Sequence, residues 1–183
     1  MNFKSSDVEC FIRPTVEKCL KSRYSVVVFE KTSFELIGIR LISIWKRPYF
    51  ICSKSVSSLP TRLIAFFELM SSFKTEIWRL CSYHVDVILR REFSCVRKDF
   101  QRRGIGSRMA DMFIDRKELK ERGIGGIMSE TSSIANQSLL AKKGFKALAE
   151  LRYAHCFDKE GNRIVERDFH DGSPKIVLNF LEF

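Results

Sequence analysis

The residues best equipped for chemistry in this 183-residue chain are Gln101-Arg102-Arg103-Gly104-Ile105-Gly106. Glycine lets backbone approach a ligand closely, and a new helix start offers N–H groups without partners and a partial positive charge. A turn of this kind suits phosphate, above all pyrophosphate. Arg102 and Arg103 at its lip add charge-assisted bonds, and Arg97, Lys98 and Arg108 raise the local potential. It is not a Walker loop, because no GxxxxGK followed by Ser or Thr occurs. Nor is it a dinucleotide fingerprint, since Met109 stands where the third glycine belongs. What remains is a Q-x-x-G-x-G turn in mid-chain, a pattern that a plain strand-to-helix turn with surface arginines also satisfies.

The elements around it are readable from periodicity. Glu92 to Val96 reads as a strand, followed by the turn and a helix from Gly104 to about Arg122, ended by Gly123. Ile124 to Glu130 is a further strand, Ser133 to Lys142 a short helix and Gly144 its stop. Phe145 to Phe157 and Lys175 to Leu181 form a terminal strand pair around the polar turn Asp158 to Asn162. Upstream, Asp7 to Lys21 has helical spacing, and Tyr24 to Glu30 pairs with Phe34 to Trp45 as a hairpin. Two helices are expected between them and Glu92. One starts at Ser58-Leu59-Pro60 and runs to Phe73; the other starts at Thr75 and carries Ile77, Leu80, Cys81, His84 and Ile88. Strands alternating with helices in the second half call for a mixed α/β sheet with crossover helices.

Composition bounds the answer. The length and an apolar content of 45% fit one domain, 1–183, with its own core, and exclude disordered and fibrous classes. A net charge of +10 favours an anionic partner: nucleic acid, an acidic membrane or a polyphosphate cofactor. Six cysteines without a CxxC, and a start lacking an apolar leader, point to a reduced, cytoplasmic protein. Cys81-Ser-Tyr-His84 has ligand spacing without a second pair, so no metal is expected. The apolar run Leu63 to Met70 is far below the roughly 18 residues that cross a bilayer.

About forty residues after the glycine turn comes Ser132-Ser133-Ile134-Ala135-Asn136-Gln137-Ser138-Leu139-Leu140-Ala141-Lys142-Lys143-Gly144-Phe145. The two segments in this order resemble the GCN5-related N-acetyltransferase superfamily. The tail, from Ala149 to Ala154 and on to Val177, is similar to its arylalkylamine (dopamine-type) branch. The resemblance implies an α/β (α+β) fold, a mixed central sheet flanked by helices, with a helical insert between the third and fourth family strands. The cofactor-binding core would be about 92–146, and the family's first strand and helix have no counterpart before Asp7.

For the site, the resemblance implies that acetyl-CoA pyrophosphate meets the amides of Arg102, Arg103, Gly104, Ile105, Gly106 and Ser107, the turn that begins at Gln101. Its pantetheine arm would pair with Cys95 and Val96, and the Val96 amide would donate to the thioester oxygen. Asn136 would reach the same arm, unless it simply faces solvent. An alkylamine has a pKa near 10.4, so the reaction needs a proton acceptor. Glu92 is the candidate, with the equally open reading that it is an ordinary ion-pair partner of Arg90 or Arg91. Where many members carry a tyrosine acid this chain has Leu140, which leaves Ser132, Tyr153 and His155 as candidates. Cys95 as an acyl carrier competes with Cys95 as core. Trp45, Tyr49, Trp78 and sixteen phenylalanines suit either an aromatic acceptor pocket or a core.

The expectation is therefore an N-acetyltransferase (an acyltransferase) that moves acetyl from acetyl-CoA to a small arylalkylamine-type primary amine by direct attack. The alternatives are an acyl-CoA-binding relic without turnover and a basic nucleic-acid-binding module. No membrane partner is expected.

Overall fold

The computed structural model describes residues 5–47 and 61–183, and the expected helix start at Ser58 to Pro60 lies outside them. Helix α1 (Ser5–Leu20) leads into the antiparallel hairpin β1 (Val26–Phe29) and β2 (Leu36–Lys46). Helices α2 (Thr61–Thr75) and α3 (Ile77–Leu80) follow, then β3 (Val87–Val96). Helices α4 (Ile105–Asp111) and α5 (Arg116–Glu121) precede β4 (Gly126–Thr131), and α6 (Ile134–Lys142) precedes β5 (Lys146–Arg152) and β6 (Lys175–Glu182). The six strands are ordered β1-β2-β3-β4-β6-β5, and only β3 and β4 run parallel. Among the described residues, no helix is long and apolar enough to cross a membrane.

The alternating side chains of the central strands feed two cores. Trp45, Ile88, Met128 and Phe180 pack under α2 and α3 on one face, while Ile42, Leu89, Ile127 and Tyr24 pack with Leu119 of α5 on the other. Between β4 and β6 the backbone comes so close that only glycine fits at 126. A Cβ there would lie 2.4 Å from the Phe180 ring and 2.8 Å from the Leu181 carbonyl oxygen.

Three expected boundaries move. The second inserted helix stops at Leu80, with Cys81 already extended (φ −82°, ψ 165°), and Ile88 belongs to β3. Helical spacing was satisfied through Ile88, but the β-branched Val87 and Ile88 gain more from pairing: Val87 lies opposite Lys46 on β2, and Ile88 opposite Trp45 on β2 and Gly126 on β4. The long helix after Gly104 is two helices, interrupted where Phe113 takes φ +59°. Asp115 caps α5 by accepting from Lys117 N (2.9 Å) and Glu118 N (3.1 Å). Arg40, fully buried, closes α4 by donating to the carbonyls of Met109 and Met112 (2.6 Å), and to Tyr24 O at 2.7 Å. Finally, the strand from Phe145 ends at Arg152, and a 3₁₀ turn occupies Tyr153–His155.

Candidate active site

The site is made by a strand that changes phase. Near its start β3 is held to β2 through Arg47 N–H donating to Asp86 O at 2.7 Å; beyond its end, Arg97 N–H donates to Ile37 O at 2.8 Å. In an antiparallel ladder every second residue turns its peptide groups toward the partner. Even-numbered residues of β3 therefore face β2 at the start and odd-numbered ones at the end. The switch is a β-bulge: Leu41 opposes Phe93 while Ile42 opposes Arg91, leaving Glu92 as the extra residue.

The same place is where β3 parts from β4. Their parallel pairing runs from Ile88 opposite Gly126 to Arg91 opposite Ser129 and goes no further. Past that point β4 stays with β6, whereas the second half of β3 has β2 on one side and an open slot on the other. The phase directs the N–H and C=O groups of Ser94 and Val96 into the slot and those of Cys95 toward β2. Of the two residues expected to pair with a ligand here, Val96 is placed to do so and Cys95 is not. Ser94 was missed, because nothing local in the sequence announces the bulge. The Val96 carbonyl already accepts from the Gln101 side chain at 2.9 Å, so Gln101 ties the turn to the strand end.

The turn itself is set by left-handed residues. Gly104 sits at φ +78° with open space around its absent Cβ, and Arg102 is at φ +60°, a conformation uncommon for a side-chain-bearing residue. From Arg102 to Ser107 no backbone N–H donates to a backbone group of the described residues, and the first inward bond is Arg108 N–H to Gly104 O at 3.0 Å. Among the described residues, six successive amides beside the slot thus have no backbone acceptor within hydrogen-bond geometry. A Cβ on Gly106 would come within 3.9 Å of both Val96 and Leu139, so α4, β3 and α6 converge there. Arg103 stacks on Phe100 (4.8 Å) and bonds the Asp99 carbonyl at 3.1 Å, leaving its exposed guanidinium at the rim. Asn136 is half-buried in the first turn of α6, its backbone N–H capped by Ser133 Oγ at 3.2 Å.

Where the strands part, three charged side chains meet on the α2 face of the sheet. Arg90 pairs with Glu92, and its Nη2 reaches both oxygens of Glu130 at 3.1 Å. Glu92 also accepts from Ser43 Oγ at 2.5 Å. Both carboxylates are only 7% exposed, and Arg90 lies over the Trp45 ring at 4.6 Å. Glu92 is thus the ion-pair partner of Arg90, not of Arg91, which points to the opposite face and bonds Ser94 Oγ at 2.8 Å. Glu130 was missed, since only the parallel register brings it to Arg90.

A cavity of about 590 Å³ opens next to this cluster. Glu130, Ser132 and Tyr153 line it with Phe66 and Met70 of α2, and residues 165–170 form its far wall. The candidates Ser132 and Tyr153 are therefore brought together; His155 is exposed and outside the cavity, and Leu140 is fully buried. Burial pushes the Tyr153 hydroxyl up to about 12, with help from Cys156, Asp171 and Asp168, so the phenol keeps its proton at neutral pH. Among the described residues, no cysteine lines the cavity. Trp45 and Trp78 belong to the core and its margin instead of the cavity wall, and Tyr49 lies outside the described residues. Among the described residues, no cluster of His, Cys, Asp or Glu could hold a metal.

No family model and no curated protein matches the sequence. Solved structures do match the fold. Arylalkylamine N-acetyltransferase 2 from Aedes aegypti superposes with a TM-score of 0.71 at 15% identity, over 94% of this chain and 79% of that one. The chain has the GCN5-related N-acetyltransferase fold. The polyamine N-acetyltransferase of Drosophila melanogaster, an enzyme that forms N-acetylagmatine, aligns at 0.69 and 13% identity over 100% of this chain and 83% of its own. The C-terminal condensation domain of Ebony, solved with β-alanyl-dopamine, aligns at 0.70 and 16% identity over 100% and 83%. In this fold the bulged strand β3 and the glycine turn lie side by side.

Proposed function

We propose that this chain is an acetyl-CoA-dependent N-acetyltransferase acting on the primary amine of a small, arylalkylamine-type acceptor by direct attack in a ternary complex. The observation that carries the reading is the split between β3 and β4, with peptide groups turned into it and, at its mouth, six amides without a backbone acceptor among the described residues. Those groups fit the cofactor. Amides 102–107 would hold its pyrophosphate, Ser94 and Val96 would pair with its extended arm, and the +10 chain favours its charge. Acetyl-CoA would supply an activated acetyl thioester.

The protein's own groups do the rest. The Val96 N–H donates to the thioester oxygen, where charge builds during attack. Glu92 takes the amine proton through a water relay, because its oxygens already accept from Arg90 and Ser43. Tyr153, still protonated, and Ser132 serve as proton donors to the departing sulfur. The matched structures named for arylalkylamine and polyamine N-acetyltransferases support an amine as acceptor.

The buried Leu140, where many members of the superfamily carry the tyrosine acid, favours a second reading: an acyl-CoA-binding protein without turnover. One pair of measurements separates them. Acetyl-CoA raises the melting temperature of the unmodified protein, and Arg103→Glu weakens that shift. Thiol release with a panel of aromatic amines then establishes transfer; a melting shift without release supports the second reading, and no shift defeats both.

A further inference from the structure

We infer that Glu130 is the anchor for the acceptor's ammonium group, and that Lys74 is a resident cation competing for it. The inference rests on the acetyltransferase reading for the identity of the acceptor, but not for the presence of the site. Three observations carry it. Glu130 and Glu92 share a single guanidinium, Arg90, so this buried group of three holds one negative charge in excess. Of the two carboxylates, Glu130 is the one that lines the cavity, with the apolar Phe66, Met70, Phe169 and Ile176 around it. An anionic floor under apolar walls is complementary to an organic cation with a hydrophobic body.

The third observation is Lys74. Phe66, Met70 and Lys74 are spaced i, i+4, i+8 on α2, and the first two line the cavity. Lys74 is half-buried and forms no ion pair among the described residues, yet it feels Arg90 of β3, Glu130 of β4 and Lys18 of α1. Burial, then Arg90, lowers its ammonium to about 8; Glu130 opposes the shift and Lys18 adds to it. The cavity's other charged groups are on the far wall: Glu166, paired with Arg62, and Arg167 and Asp168, with the imidazole of His170 beside them. An ammonium arriving at Glu130 is a like charge for Lys74. Binding and loss of the Lys74 proton are therefore coupled, and by reciprocity a higher pH favours binding.

The test is calorimetric titration of the full chain, without acetyl-CoA, using 2-phenylethylamine and its neutral counterpart 2-phenylethanol. The unmodified protein prefers the amine, and its affinity for the amine rises about fivefold between about pH 6.5 and about pH 8.5. Glu130→Gln abolishes the preference for amine over alcohol. Lys74→Met, which removes the half-buried cation and leaves the Arg90 pairs in place, binds the amine at the lower pH as tightly as the unmodified protein does at the higher one. An amine preference that survives Glu130→Gln, or a pH dependence that survives Lys74→Met, overturns the inference. Failure of the acetyltransferase reading would show separately, as absent coenzyme binding and thiol release with the amine titrations unchanged.

Discussion

The phase change in β3 makes a sharp prediction about proline. In an ordinary strand proline removes a ladder hydrogen bond, because it has no N–H. At Val96 the N–H points into the slot, so Val96→Pro should leave the β2–β3 ladder intact and remove only the donor proposed for the thioester oxygen. The residue before a proline must be extended, and Cys95 already is. Cys95→Pro is the matched control. By the same alternation the Cys95 N–H belongs to the pair with Ile39, and its loss strands a carbonyl at a cost of about 1–3 kcal/mol. Removing one oxyanion donor costs about 10²–10³ in rate, or about 2.7–4 kcal/mol of transition-state stabilisation. Urea unfolding and thiol release at saturating acetyl-CoA measure the two quantities on the same samples. Val96→Pro should unfold near the unmodified protein yet turn over at least about a hundredfold more slowly; Cys95→Pro should show the larger loss of stability. If Val96→Pro is as destabilised as Cys95→Pro, the phase assignment is wrong. If it is stable and fully active, the donor role is wrong.

Three further substitutions follow from the packing and the cavity. Gly126→Ala forces a Cβ against the Phe180 ring and the Leu181 carbonyl and should cost about 1–3 kcal/mol in urea unfolding. Arg40→Met leaves the carbonyls of Tyr24, Met109 and Met112 without their donor, and at about 1–3 kcal/mol for each stranded group it should lower the urea midpoint further than Gly126→Ala does. Tyr153→Phe should slow turnover about a hundredfold or more. Since the phenol is pushed up to about 12, that substitution should leave any basic limb of the pH–rate profile below about pH 10 where it was.

What the sequence disclosed and what it hid divide by range. The glycine turn, the Gly123 and Gly144 stops and the β1–β2 hairpin are local signals, settled by φ preferences and alternation within a few residues, and the structure has them where the sequence implied. The interruption after Asp111 is half local, through the Asp115 cap, and half remote, through Arg40 some seventy positions away. Arg40 could not be read as a helix stop, since a lone arginine in a strand ordinarily faces water. Glu130 and Ser43 reach Arg90 and Glu92 through strand pairing across 40 and 49 positions. The pairing of Glu92 with Arg90 was open to view at i, i+2; its burial was not. Helical spacing through Ile88 misled because a pattern that suits both helix and strand is decided by which partner offers more burial.

One extra residue organises both halves of the site. Had β3 no bulge, the alternation fixed at Asp86 would carry through, turning Val96 and Ser94 toward β2 and offering the slot Cys95 and Phe93 instead. The turn at 101–106 would then meet a strand whose peptide groups were out of step with it, and Gln101 could not reach the Val96 carbonyl. The bulge also relaxes the pleat at the point where β4 departs, and there Glu92 and Glu130, the first residue of each strand past the last shared pair, are bridged by Arg90. The slot and the cavity, proposed for cofactor and acceptor, thus share one vertex, with peptide groups turned outward on one side of it and paired carboxylates on the other. The proposed reaction, which brings an anionic thioester carrier and a cationic amine to a common point, requires that separation of sign, and a single inserted residue supplies it.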